Sequence, residues 1–147
     1  MNKYLIAIAL LFVSANSEAL KAVCHRDDDK RVVICEEDKL GRLMWQDNTT
    51  YKYEWNDSRR YCEKLGLAGY SDWRLPTRFE LLSITDDGRY NPAINEAFKN
   101  IESGKYWTSE KSVISRNCIW NVNFIDGSYG DFERSSDRHF IRCVRNY

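Results

Sequence analysis

Proline, histidine and glycine are scarce in this chain, at two, two and seven residues among 147. His25 and His139 stand far apart and no Cys-x-x-Cys occurs, so the spacings that build a tetrahedral zinc site are missing. There is no glycine-rich phosphate loop, and Gly127-Ser128-Tyr129-Gly130 does not match the Gly-x-Ser-x-Gly of a nucleophile elbow. The sequence therefore predicts no catalytic residue, no metal site and no cofactor. Net charge is lacking too: 22 basic residues balance 22 acidic ones. That removes the global attraction expected of a nucleic-acid-binding or membrane-surface protein. Beyond the first residues, no apolar run approaches the roughly 18 residues of a membrane span, so no stable membrane insertion is expected. Nor is there a repeat, a low-complexity tract or a composition break, and the length suits one domain.

The chain opens with Lys3, an apolar run from Tyr4 to Val13, and small residues at Ala15-Asn16-Ser17 or Ser17-Glu18-Ala19. This pattern predicts a signal peptide over residues 1–19, a mature chain beginning at Glu18 or Leu20, and a single domain over 20–147. The protein is then secreted, periplasmic or at the cell surface. Lys21-Ala22-Val23 ahead of Cys24 is unlike a lipoprotein cleavage box, so no lipid anchor is expected.

In an oxidising compartment the five cysteines, Cys24, Cys35, Cys62, Cys118 and Cys143, point to two disulfides and one spare thiol. Cys24 and Cys35 flank the polar turn His25–Lys30 and the strand-like Arg31–Cys35, so one bridge staples a hairpin within Leu20–Lys39. Asp27-Asp28-Asp29 lacks the alternate spacing of a calcium loop and reads as a solvated turn. For the remaining cysteines, the residues alone leave Cys62–Cys143 and Cys118–Cys143 both open.

The centre of the chain is Gly69-Tyr70-Ser71-Asp72-Trp73-Arg74-Leu75-Pro76-Thr77-Arg78-Phe79-Glu80-Leu81-Leu82. Pro76 pushes Leu75 towards extended geometry. Thr77 and Glu80 form a capping box, which predicts a short helix from Arg78 burying Leu81 and Leu82. Ahead of it, Trp55, Ser58, Cys62 and Leu65 mark one helical face, with Gly66 as a left-handed cap. Strands are predicted at Arg42–Gln46, Tyr106–Ser109 and Phe140–Arg145. Another is predicted through Cys118, Trp120, Val122 and Phe124, which should form one apolar face ending at the Asp126-Gly127 turn. Thr85–Lys105 reads as a long irregular segment with one helical turn at Ile94–Phe98. Strands and helices run in blocks, so the class is α+β.

These motifs resemble the Lcl C-terminal domain family, that of a bacterial collagen-like adhesin. The resemblance rests on Gly69–Leu82, Gly41–Gln46, Trp55–Leu65 with Tyr61-Cys62, Tyr106-Trp107-Thr108-Ser109, Trp120–Phe124 with Gly127, and Ile141–Arg145. It implies a C-type-lectin-like fold: two helices packed on small antiparallel sheets with a long irregular loop region. It also implies a Cys62–Cys143 bridge, leaving Cys118 free; the alternating face that Cys118 shares with Trp120, Val122 and Phe124 predicts that it is buried.

The related sulfatase-modifying, formylglycine-generating enzymes use a pair of nearby C-terminal cysteines, and Cys143 stands alone there. The resemblance therefore implies a non-catalytic ligand-binding module. Trp55-Asn56-Asp57 resembles a calcium-lectin motif but falls in the helix, with Trp55 read as core and Asn56 and Asp57 as exposed, so no calcium–sugar site carries over.

The family implies attachment to sulfated glycans through basic surface. That points to Tyr129, Arg134 and Arg138, with Arg142 and Arg145 following, because arginine makes bidentate contacts with sulfate or carboxylate. Asp131, Glu133 and Asp137 interleave these arginines and threaten to neutralise them. The expected partner is an extracellular carbohydrate or polyanionic glycan. The alternatives are a protein ligand, as for an accessory subunit of a surface assembly, or a degenerate formylglycine-generating-type enzyme.

Overall fold

The computed structural model describes residues 21–147; the expected signal peptide lies outside the described residues. The elements run β1 Val23–Asp27, β2 Val32–Glu37, β3 Gly41–Gln46, β4 Lys52–Tyr53, α1 Trp55–Lys64, α2 Arg78–Ser83, β5 Lys105–Lys111, β6 Cys118–Asn123, β7 Ser128–Arg134, β8 His139–Phe140 and β9 Val144–Asn146. One sheet has the order β1-β2-β3-β9 and the other β4-β8-β5-β6-β7. All pairings are antiparallel except β5 with β8. The fold is thus α+β on two small sheets.

Neighbouring residues of a strand point to opposite faces, and here both faces of the central strands are covered. Val33, Leu43, Trp45, Tyr106, Val122 and Phe124 join Leu81 and Ile84 in one core. Their neighbours Val32, Ile34, Met44, Trp107 and Ile119 join Trp55, Cys62, Trp73 and Leu75 in a second. This corrects the single apolar face predicted for β6. Val122 and Phe124 are fully buried, but so is Ile119 on the opposite face, while Cys118 and Trp120 are only half-buried. Cys118 lies at the first position of the strand, where its thiol reaches the Phe132 carbonyl at 3.9 Å.

Helix α1 buries Trp55, Ser58 and Cys62 and exposes Asn56 and Asp57. It ends without a glycine cap. Leu65 is already extended (φ −67°, ψ 125°), and the left-handed residues come later, at Ala68 and Gly69. Leu65 and Leu67 both turn back onto the second core, which explains why the chain leaves the helix before Gly66 can cap it. Helix α2 carries the predicted capping box: Glu80 N–H donates to Thr77 Oγ1 (3.2 Å), and Thr77 N–H donates to Glu80 Oε1 (2.7 Å). Leu81 is buried, whereas Leu82 is half-buried. Ile94–Phe98 is not helical. Asn95 Oδ1 takes the Ala97 N–H at 3.0 Å, a side chain competing with helical backbone bonds.

The last predicted strand is split. β8 sits in the larger sheet and β9 in the smaller one, with Ile141–Cys143 crossing between them. Cys143 N–H donates to Gln46 Oε1 and Gln46 N–H to the Cys143 carbonyl. At this seam Cys143 bonds Cys62 of α1, while Cys24 bonds Cys35 directly across the β1–β2 ladder. The Trp73–Pro76 segment closes the seam from the other side, since Arg74 and Val144 exchange backbone hydrogen bonds of 2.9 Å each.

Candidate functional site

The four C-terminal arginines have separate fates. Arg142 is 1 % exposed: its guanidinium donates to the Gln46 carbonyl, Asp47 Oδ1 and the Asn100 carbonyl. Arg145 donates to both carboxylate oxygens of Asp72 and stacks 3.7 Å from the Tyr70 ring centre. Both belong to the scaffold, which corrects their inclusion in a basic surface.

Arg134 and Arg138 stay at the surface, at the two ends of the β7–β8 turn. Asp137 Oδ2 accepts the Arg134 N–H at 2.9 Å and so closes that turn. The turn is clamped on both sides, because Ser135 N–H donates to the Asn117 carbonyl and the Ser135 carbonyl accepts from Trp55 N–H. Arg138 Nη2 donates to the Lys52 carbonyl at 3.0 Å. Lys111 of β5 places its ammonium 5.4 Å from the Trp55 ring centre, and Arg116 lies on the exposed loop leading to Asn117. These contacts bring the segments that carry Lys52, Lys111 and Arg116 to the turn that carries Arg134 and Arg138, with the Lys52 ammonium resting 4.7 Å from the Phe140 ring centre; the five cations are the basic corner. None of the five makes an ion pair among the described residues. Lys52 and Lys111 gave no sequence signal, whereas Arg116 falls in the Ser112–Asn117 loop that the lectin-like resemblance marks as ligand-carrying. All three come from loops and strand ends that only the fold brings together.

The interleaved acids are occupied elsewhere. Asp131 is buried and accepts the Ser112 hydroxyl at 2.7 Å. Glu133 is bonded by Lys105 and by His139 Nε2. Burial pushes its carboxyl up, but these two bonds outweigh burial and hold it below its ordinary value. Glu133, Asp137 and His139 bring ligand-type atoms within 4.8 Å of one another. Lys105 already supplies a cation to that cluster, and Asp137 is engaged by the Arg134 N–H, so the grouping reads as an internal ion-pair network.

Tyr129 does not join this corner. It lies towards the far end of β7, five residues from Arg134, or about 17 Å at strand spacing. There it is 58 % exposed beside Trp120, with Arg78 stacked 4.1 Å from the Trp120 ring centre.

Two small sheets, a disulfide-sewn seam and an unpaired basic corner define an α+β scaffold that presents surface side chains. The chain belongs to the Lcl C-terminal domain family, whose model matches residues 35–145. No curated protein and no solved structure matches it.

Proposed function

We propose that this protein is an exported, non-catalytic binding module of C-type-lectin-like architecture. In this reading it works outside the cell or at its surface and holds a polyanionic glycan at the Lys52–Lys111–Arg116–Arg134–Arg138 corner. The observation that carries the reading is the freedom of Arg134 and Arg138 from carboxylate partners, although three acids lie between and beside them in sequence. Guanidinium groups without a carboxylate partner keep donors available for contact with sulfate or carboxylate, Arg138 having one nitrogen on the Lys52 carbonyl. Membership of an adhesin-derived family and two disulfides support export. Among the described residues no helix is long and apolar enough to cross a membrane.

Immobilised heparin, chondroitin sulfate and unsulfated hyaluronan separate the possibilities. The reading expects retention in the order of anionic density, and equal, negligible retention on all three would sink it.

A protein ligand is the second reading. It is favoured by an apolar loop tip near the same corner, where Val113 and Ile114 are almost fully exposed. Against the formylglycine-generating-type alternative stands the bridge that ties Cys143 to Cys62.

A further inference from the structure

Behind Lys52 a cleft of about 490 Å³ opens between β4 and α1, lined by Tyr53, Tyr61, Leu65, Asp57, Arg60 and Lys64. Tyr53 and Tyr61 line it, and the ring of Tyr51 packs against both. Tyr51, Tyr53 and Tyr61 have ring centres 5.7–5.9 Å apart, and Tyr51 is 45 % exposed. The rings are held in place: Gln46 Nε2 donates to the Tyr61 hydroxyl at 3.0 Å, and Gln46 is itself fixed by the Cys143 N–H. The polar side of the cleft carries the Arg60–Asp57 pair and Lys64.

A pyranose ring has one apolar C–H face and a rim of hydroxyls. Aromatic side chains with an apolar body and a polar tip, set in a cleft with a few convergent polar groups, match both features. We infer that the Tyr53–Tyr61 cleft, with the half-exposed Tyr51 ring packed beside it, is a sugar-ring subsite, stacking one pyranose residue on tyrosine while Asp57, Arg60 and Lys64 serve its hydroxyls. Lys52 lies between Tyr51 and Tyr53 in the chain, and Arg138 is bonded to its carbonyl. Lys52 itself turns its ammonium onto the Phe140 ring, 4.7 Å from its centre, so Arg138 is the member of the basic corner that a glycan seated on the tyrosines would meet. The extension rests on the polyanion reading; the ring subsite itself does not.

Two probes keep them apart: a heparin hexasaccharide and the uncharged chitotetraose, each followed by saturation-transfer NMR and titration. Tyr51→Ala removes a half-exposed ring and should lower the thermal melt only slightly, through its two ring contacts. It should weaken the hexasaccharide about fivefold, the scale of one aromatic stacking contact, and the loss should persist at high salt. Hexasaccharide binding unchanged by Tyr51→Ala would overturn the subsite and leave the arginine reading standing. If wild-type protein ignores the hexasaccharide but binds chitotetraose through Tyr51, the subsite stands and the polyanion reading fails. If neither probe binds, the subsite is overturned.

Discussion

Arg142 Nη1 lies 2.9 Å from Asp47 Oδ1, and both side chains are completely buried. Arg26 reaches the other oxygen of the same carboxylate, and the Lys99 and Asn100 N–H groups complete its shell. This charged knot ties the β3 end, the long irregular segment and the crossover between the two sheets. Arg142→Met leaves the carboxylate with Arg26 and the two backbone N–H groups, and removes the Arg142 bonds to the Gln46 and Asn100 carbonyls. Removing one partner of a buried pair typically costs about 3–5 kcal/mol, and the remaining contacts of Asp47 put the expectation near the lower figure. Urea unfolding checks it. A loss below about 1 kcal/mol, the scale of an exposed pair, would contradict it.

The two disulfides should differ in weight. Cys62–Cys143 spans 81 residues and Cys24–Cys35 only 11. Chain-entropy reasoning gives about 4–5 kcal/mol for the long loop and about 3 for the short one, as upper figures. Cys62→Ser is expected to lower the melting temperature more than Cys24→Ser, read by calorimetry under non-reducing conditions.

Cys118 is unpaired and half-buried at the start of β6. A thiol reagent should label it in the native protein, faster than a core cysteine and more slowly than in denaturant. Cys118→Ser should cost under about 1 kcal/mol, as for a substitution away from the packed interior.

Acid should loosen α2. Arg74 binds both oxygens of Glu80 at 2.7 and 2.8 Å, and Glu80 also closes the capping box. Burial pushes the Glu80 carboxyl up, but the Arg74 and Thr77 bonds outweigh it and hold the group below its ordinary 4.5. A lowered folded value means that the stabilisation is complete above 4.5 and is lost as pH falls from there through the folded value. The Arg74 side chain is 41 % exposed, so solvent screens part of the pair and the expected contribution is about 1–2 kcal/mol. Urea midpoints between about pH 7 and pH 3 should show a steeper acid-side fall for wild type than for Glu80→Gln.

Local chemistry made α2, the stapled hairpin and the buried face of α1 readable, because caps, turns and helical spacing involve residues close in the chain. The Cys62–Cys143 bridge came from the family resemblance instead, as the residues left Cys143 with two possible partners. What stayed hidden depends on which surfaces the fold covers. Ile119 and Trp120 differ in burial because a second core covers the opposite face of β6. Arg142 is indistinguishable in sequence from Arg138, yet the crossover carries it inside. Arg134 and Arg138 were legible as candidates, but their freedom from Glu133 depends on Lys105, 28 residues away from that acid. Tyr129 stands near them in sequence, and the strand carries it to the far end of β7.

The most direct test is elution from immobilised heparin in a rising salt gradient, comparing wild type with the Arg134→Ala, Arg138→Ala double variant. Exposed charge contacts are screened over a Debye length of about 8 Å at physiological ionic strength. Wild type should therefore be retained at low salt and released as salt rises, and the double variant should elute clearly earlier with an unchanged melting temperature. Wild-type protein flowing through at low salt, or a double variant eluting with wild type, would contradict the account.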